Sequence, residues 1–210
     1  QSITLNASDA GSGLSTLDLY FSANNGSTYS LLSNLAMTDT SYSWSVPVID
    51  TVQGKLKLVA TDLTGLTTTV YSSVFAVDSA APIAPTITRL SSAISNSTTV
   101  GVGVTCSADY AKILFSQTST TPSVSDSTWE TCSSSKNFTV ATGDGAKSIY
   151  AFTKDSVGNI SASSNVTMTL DTTQPTLALS SFNAAGSFKG GSNQSITWTA
   201  SDTNLDSTPI

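Results

Sequence analysis

The sequence predicts an all-β protein, built as tandem β-sandwich domains joined by short, proline-containing linkers. Three observations lead there. Apolar and polar residues alternate with period two in one run after another, as in Val166, Met168 and Leu170 against Thr167, Thr169 and Asp171, which is the pattern of half-buried strands. Asp, Asn and Gly clusters separate those runs and supply the chemistry of tight turns. The punctuation itself also repeats. Asp62, Gly65, Asp78 and Pro82 recur as Asp155, Gly158, Asp171 and Pro175, each 93 residues further on, and an ungapped recurrence of this kind marks a repeated unit.

Composition narrows the function classes. The 210 residues are 39% hydrophobic and only 10% charged, so a packed core comes with a surface that is polar without being charged. Ser and Thr fill that surface, at about a third of the chain, well above ordinary usage. No stretch carries sustained helical periodicity. The net charge is −6 and the eight Lys and Arg residues are scattered, which speaks against nucleic acid, whose phosphates need grouped cations. No apolar run is long enough to cross a bilayer and no leader is recognisable. The chain opens on Gln1 rather than Met, so it reads as a piece of a longer protein. It contains no His, so neither a Ser–His nor a Cys–His pair can form. Its carboxylates fall at turns rather than in opposed pairs, and two cysteines cannot close a Cys-rich zinc site. The expectation is therefore no enzyme activity and no cofactor. Cys106 and Cys132 lie in one predicted domain. They read as a disulfide and place the chain in an oxidising, extracellular setting.

In order, Ile3, Leu5 and Ala7 alternate up to an Asp9 turn, and Leu17, Leu19 and Phe21 form a second strand. Asn24-Asn25-Gly26 supplies the positive φ values of a hairpin, and Tyr29 to Leu32 returns. Tyr42, Trp44 and Val46 alternate, Leu56, Leu58 and Ala60 lead to the Asp62 turn, and Val70, Val74 and Val77 belong to one closing strand with a bulge. This first domain covers 1–79. The linker, SAAPIAP, is stiffened by Pro82 and Pro85. The second domain covers 80–171. Its strands are expected at 86–90, 98–106, 111–116, 128–132, 137–140, 148–153 and 160–170, seven in about 90 residues, the count and spacing of a Greek-key immunoglobulin-like sandwich.

A third domain starts in 172–210. There Gln194-Ser195-Ile196-Thr197 through Ala200-Ser201-Asp202 repeats Gln1-Ser2-Ile3-Thr4 through Ala7-Ser8-Asp9 at an offset of 193. In the third domain the stretch 175–193 precedes that strand. The first domain is accordingly expected to lack its opening strand, either because the chain is a window on a longer repeat protein or because 176–181 of another chain supplies the strand by addition.

The pattern aliphatic-x-aliphatic-x-x-x-Asp-x-x-Gly, then a strand, then Val/Leu-Asp-x-x-x-Pro, runs from Leu56 to Pro82 and from Ile149 to Pro175. With Tyr20-Phe21-Ser22-Ala23-Asn24-Asn25-Gly26 and Tyr42-Ser43-Trp44-Ser45-Val46-Pro47, it resembles the bacterial immunoglobulin-like repeats of large surface proteins and adhesins. The resemblance implies a stalk that holds a binding tip away from the cell. It also implies Ca²⁺ between domains in some members. The departure lies in the first domain, where Leu63 and Leu66 flank Gly65 in place of polar residues.

Calcium is the best chemical hypothesis for a ligand. The turns at one pole of the second domain would bring Asp109, Asp155 and Asn159 near the linker Asp78, and hard cations take several such oxygens. Asp171, Asp202 and Asp206 form a corresponding set in the third domain. The reading preferred over calcium is that these carboxylates simply cap turns, because no dense Asp-x-Asp ligand loop appears. Trp44 and Trp198 alternate with core positions, and Trp129 lies close to Cys132 in sequence. Asn6, Asn25, Asn96, Asn137, Asn159, Asn165 and Asn193 head Asn-x-Ser/Thr triplets, many of them expected from composition alone. The functional expectation is a structural or adhesive segment of an extracellular fibre or stalk whose partners are neighbouring immunoglobulin-like domains. The alternatives are a module that binds glycan or a surface protein through loops at one pole, for which Trp129 is the test residue, and a subunit that self-associates by strand addition.

Overall fold

The computed structural model describes residues 1–181 and 186–203. The chain is all-β: among the described residues there are strands and turns and no helix. It divides into two compact units, Gln1–Ala81 and Pro82–Ile210.

In unit 1 the strands are β1 (Ser2–Thr4), β2 (Leu14–Ser22), β3 (Ser30–Leu35), β4 (Ser41–Ser43), β5 (Thr51–Asp62), β6 (Thr67–Tyr71) and β7 (Phe75–Val77). The main sheet runs β3-β2-β5-β6, with β7 also on β5, and a small β1-β4 sheet forms the opposite layer. The alternation in β2 places Leu17, Leu19 and Phe21 inward. Leu17 and Leu19 pack with Leu35 and Leu58 against Ile3, Leu5, Ala7 and Tyr42 of the facing layer. Each fully buried Leu contributes about 1.5–3 kcal/mol. Phe21, Trp44 and Val77 form a second cluster, in which Trp44 lies 5.2 Å from Phe21 and 5.9 Å from Phe75, centroid to centroid. Trp44 thus occupies the core, as its alternation predicts. The hairpin joining β2 to β3 does turn on Asn25 (φ 53°) and Gly26 (φ 90°). Its loop is longer than a two-residue turn, because Ser22 Oγ accepts the Asn24 and Gly26 N–H groups and holds the chain out before it returns.

The expected single closing strand is two strands. Leu58 pairs with Val70 and Gly54 with Phe75, and between them Ser72 interrupts the ladder by accepting the Leu56 N–H on its hydroxyl at 2.9 Å. Val70 and Val74 are exposed.

Unit 2 comprises β8 (Thr86–Arg89), β9 (Ile94–Ser95), β10 (Thr99–Thr105), β11 (Lys112–Ser116), β12 (Ser135–Thr139), β13 (Gly145–Lys154), β14 (Ser164–Leu170), β15 (Thr176–Ser181) and β16 (Thr197–Ser201). A three-stranded sheet, β8-β10-β12, faces a four-stranded sheet, β11-β13-β14-β9. Val100, Val102, Val104, Ile113, Val140, Ile149, Ala151, Met168 and Leu170 fill the space between them. Cys106 and Cys132 are bonded, with Cα atoms 5.9 Å apart, and Cys132 packs on this core. The strand expected at 128–132 is instead a single bridge, Ile113 to Glu130, because Asp126 caps Thr128 in a turn just before it. The closing strand starts at Ser164 rather than Ile160, which makes only a bridge to Lys154.

β15 and β16 pair antiparallel, with Thr176 opposite Ser201 and Leu179 opposite Trp198. Trp198 is 64% exposed, not in a core as its alternation predicts. The alternation correctly selects one face of the hairpin, but Leu177 and Leu179, on the same face, are exposed as well.

Candidate functional site

The side chains with the most hydrogen bonds are the carboxylates at strand ends, and each is held by a local turn. Asp155 closes the β13 turn. Its Oδ1 accepts the N–H groups of Val157 (2.9 Å), Gly158 (2.7 Å) and Asn159 (2.9 Å), and its Oδ2 accepts Asn159 Nδ2 at 2.8 Å. Gly158 is needed there because its φ is +103°. Asp62 repeats the device in unit 1, accepting from Thr64 N, Thr64 Oγ1 and Leu66 N at 2.8–2.9 Å. Partial desolvation works to raise the Asp62 pKa, but these hydrogen bonds outweigh it and hold the carboxyl below its usual range.

Of the residues expected at a calcium junction, Asp155 and Asn159 are in contact. Asp109 is exposed, and its N–H donates to Ser107 Oγ at 3.4 Å. Asp78 belongs to unit 1, where its Oδ1 accepts the Ala80 N–H at 3.1 Å. Asp171 Oδ1 accepts the Thr173 N–H at 3.1 Å, and Asp206 lies outside the described residues. Among the described residues no three acidic or cysteine side chains group as a metal site would need. What the arrangement does chemically is fix turns.

Two further carboxylates, missed in the sequence, make a matched pair of clasps. In unit 1 Asp50 Oδ1 accepts Ser79 N (2.7 Å) and Ser79 Oγ (3.0 Å). In unit 2 Asp144 Oδ1 accepts Thr172 N (2.8 Å) and Thr172 Oγ1 (2.7 Å), while Oδ2 accepts Thr173 Oγ1. Each clasp pins the residue just beyond the closing Asp78 or Asp171 and so fixes the path by which the chain leaves the sandwich. The hydrogen bonds lower both pKa values: the Ser79 N–H leads for Asp50, the Thr173 hydroxyl for Asp144. The signal was present in the repeat, but at a spacing of 94 rather than 93.

A second terminal device is in unit 2. β9, near its start, runs parallel to β14, at the end of the sandwich, with Ile94 opposite Thr169 and Ser95 opposite Leu170. Thr169 N donates to Ala93 O at 2.8 Å and Asp171 N to Ser95 O at 3.0 Å.

Half-buried and exposed aromatics are braced by lysines. On the outer face of the unit 1 sheet, Lys57 Nζ lies 4.1 Å from the Tyr20 centroid and 4.6 Å from that of Tyr29, and Lys55 lies 5.3 Å from Tyr71. Burial, then the neighbouring Tyr71, raises the Tyr29 pKa. Trp129 is half-buried. Its Nε1 donates to Ser123 O at 2.8 Å, and the Lys154 ammonium sits 4.8 Å from its centroid while donating to Val124 O. It therefore staples the long β11–β12 crossing and is not an open platform.

No family model and no curated protein matches the chain. Among solved structures it is similar to the fibronectin(III)-like modules of Clostridium thermocellum CbhA, at 16% identity and TM-score 0.38, over 80% of this chain and 84% of that one. It is also similar to the FN1–FN3 domains of chicken CNTN1, at 12% identity and TM-score 0.38, over 74% of this chain and 56% of that one.

Proposed function

We propose that the chain is a structural segment of an extracellular fibre or cell-surface stalk, with any binding tip elsewhere in the parent protein. The observation that carries this reading is the parallel β9–β14 pair. When the ends of unit 2 are pulled apart, these strands are drawn in opposite directions. Their hydrogen bonds are then strained together in shear rather than opened one at a time, and the Asp144 clasp holds the strand end at which the force enters. A disulfide between Cys106 and Cys132 fits an oxidising compartment, and a surface rich in Ser and Thr but poor in charge stays hydrated without binding polyions. The site chemistry supports turn-fixing. The test against a recognition module is a glycan and surface-protein array probed with the full chain. The stalk reading predicts no specific hit. A specific hit lost in Trp129→Ala or Tyr71→Ala would replace it with a binding function.

A further inference from the structure

Unit 1 contains an open groove of about 450 Å³ lined by Asn6, Ala7, Leu58, Ala60, Leu66 and Val70, among others. One wall is the chain after β1, whose outer edge has no strand beside it among the described residues. The other is the inner side of β5 and β6, where Leu66 and Val70 are left 73% and 55% exposed. The lining is mixed, with Asn6, Asp9 and Asp62 beside the Leu and Ala side chains, and a cleft with apolar walls beside a free backbone edge is a template for one more strand.

The chain itself shows what fits. In unit 2 the corresponding edge, that of β10, is covered by β8, with Thr86 opposite Thr105 and Ile87 opposite Val104. Pro85, just before β8, is fully buried. Thr153, which stands 93 residues after Ala60, is fully buried there and donates from Oγ1 to Ile83 O at 3.3 Å. β15 opens in the same way, on Pro175-Thr176-Leu177 as β8 opens on Pro85-Thr86-Ile87. It pairs with β16, the repeat of residues 4–8 at the 193 offset: Thr176 meets Ser201, Leu177 meets Ala200 and Leu179 meets Trp198. Carried back by 193, those partners are Ser8, Ala7 and Leu5.

We infer that the unit 1 groove is a receptor for an extended Pro-Thr-aliphatic-x-aliphatic segment, laid antiparallel to residues 5–8 with its Thr opposite Ser8 and its two aliphatic residues opposite Ala7 and Leu5. The pairing spans four residues, about 13 Å at roughly 3.3 Å each. The aliphatic side chains point into the groove above Leu58 and Ala60, and the proline sits at the Asp9 end. The inference does not depend on the stalk reading.

The test grafts residues 172–193 directly before Gln1 of the full chain, which reproduces the spacing of the 193 repeat. Unit 1 is followed as the thermal transition that does not respond to reductant, since both cysteines lie in unit 2. The graft should raise that transition by roughly 5–10 °C and slow amide exchange at residues 5–8. A graft carrying Leu177→Asp and Leu179→Asp should do neither. If the ungrafted chain self-associates at high concentration and the graft abolishes this, a second copy's Pro175–Ser181 supplies the same segment in trans, which also supports the inference. An unchanged transition with unchanged exchange, or equal stabilisation by the Asp-bearing graft, overturns it.

Discussion

Reducing the Cys106–Cys132 bond should weaken unit 2 and leave unit 1 untouched. The two cysteines are 26 residues apart in sequence. Closing a loop of that length removes denatured-state entropy equivalent to about 3.5 kcal/mol. For a sandwich of this size each kcal/mol moves the midpoint by about 4–8 °C, so the transition of unit 2 should fall by about 14–28 °C. Differential scanning calorimetry of the full chain, oxidised and in dithiothreitol, reads this directly. Reduction is a cleaner perturbation than Cys132→Ala, because Cys132 also packs on the core and its truncation adds a cavity. Equal midpoints in the two redox states would refute the reasoning. So would a shift shared by both transitions, since unit 1 contains no cysteine.

The Asp144 clasp should make unit 2 sensitive to acid. The folded pKa of Asp144 lies below its unfolded value, so its stabilisation is complete above the unfolded value of about 3.9 and is lost as pH falls through the folded one. Urea melts at about pH 6 and about pH 3 should show Asp144→Asn with a flatter acid limb than the parent. Gly54→Ala should destabilise unit 1 by about 1–3 kcal/mol, because the added Cβ would stand 2.8 Å from Phe75 Cε2 and 2.9 Å from the Phe75 carbonyl oxygen; chemical denaturation measures it. Calcium and chelator should leave both melting transitions in place, because the oxygens of Asp155 already accept three N–H groups and the Asn159 amide. A calcium-dependent rise in either midpoint would show that these turns open to bind the ion.

The architecture was legible wherever period-two alternation coincided with burial. Leu17, Leu19 and Phe21 announce β2, and Val166, Met168 and Leu170 announce β14, because one face of each meets the opposite sheet. The same alternation in Ile196 and Trp198 selected the face of β16 but not its burial, since alternation reports sidedness and burial needs a facing layer. The 93-residue punctuation located Asp62 and Asp155, whose partners are two to four residues away. Asp50 and Asp144 escaped because each binds a hydroxyl and an N–H group 28 or 29 residues downstream, and a one-residue slip puts them out of phase with the 93-residue repeat. The break at Ser72 was hidden for a similar reason. A hydroxyl that substitutes for a backbone group in a ladder leaves no mark in the hydrophobic pattern. The β9–β14 pairing, two residues long, was too short to show any period.

Whether these sandwiches bear tension is tested most directly by stretching the full chain between its ends in single-molecule force spectroscopy. Unit 2, with the parallel β9–β14 pair in shear, should give the stronger unfolding event, above that of unit 1. Its extension should lengthen by about 80–90 Å when the disulfide is reduced, as 26 residues held 5.9 Å apart are released at roughly 3.3–3.6 Å each. A chain that extends with no resolved event from unit 2, or that yields at one force common to both units, would contradict the account.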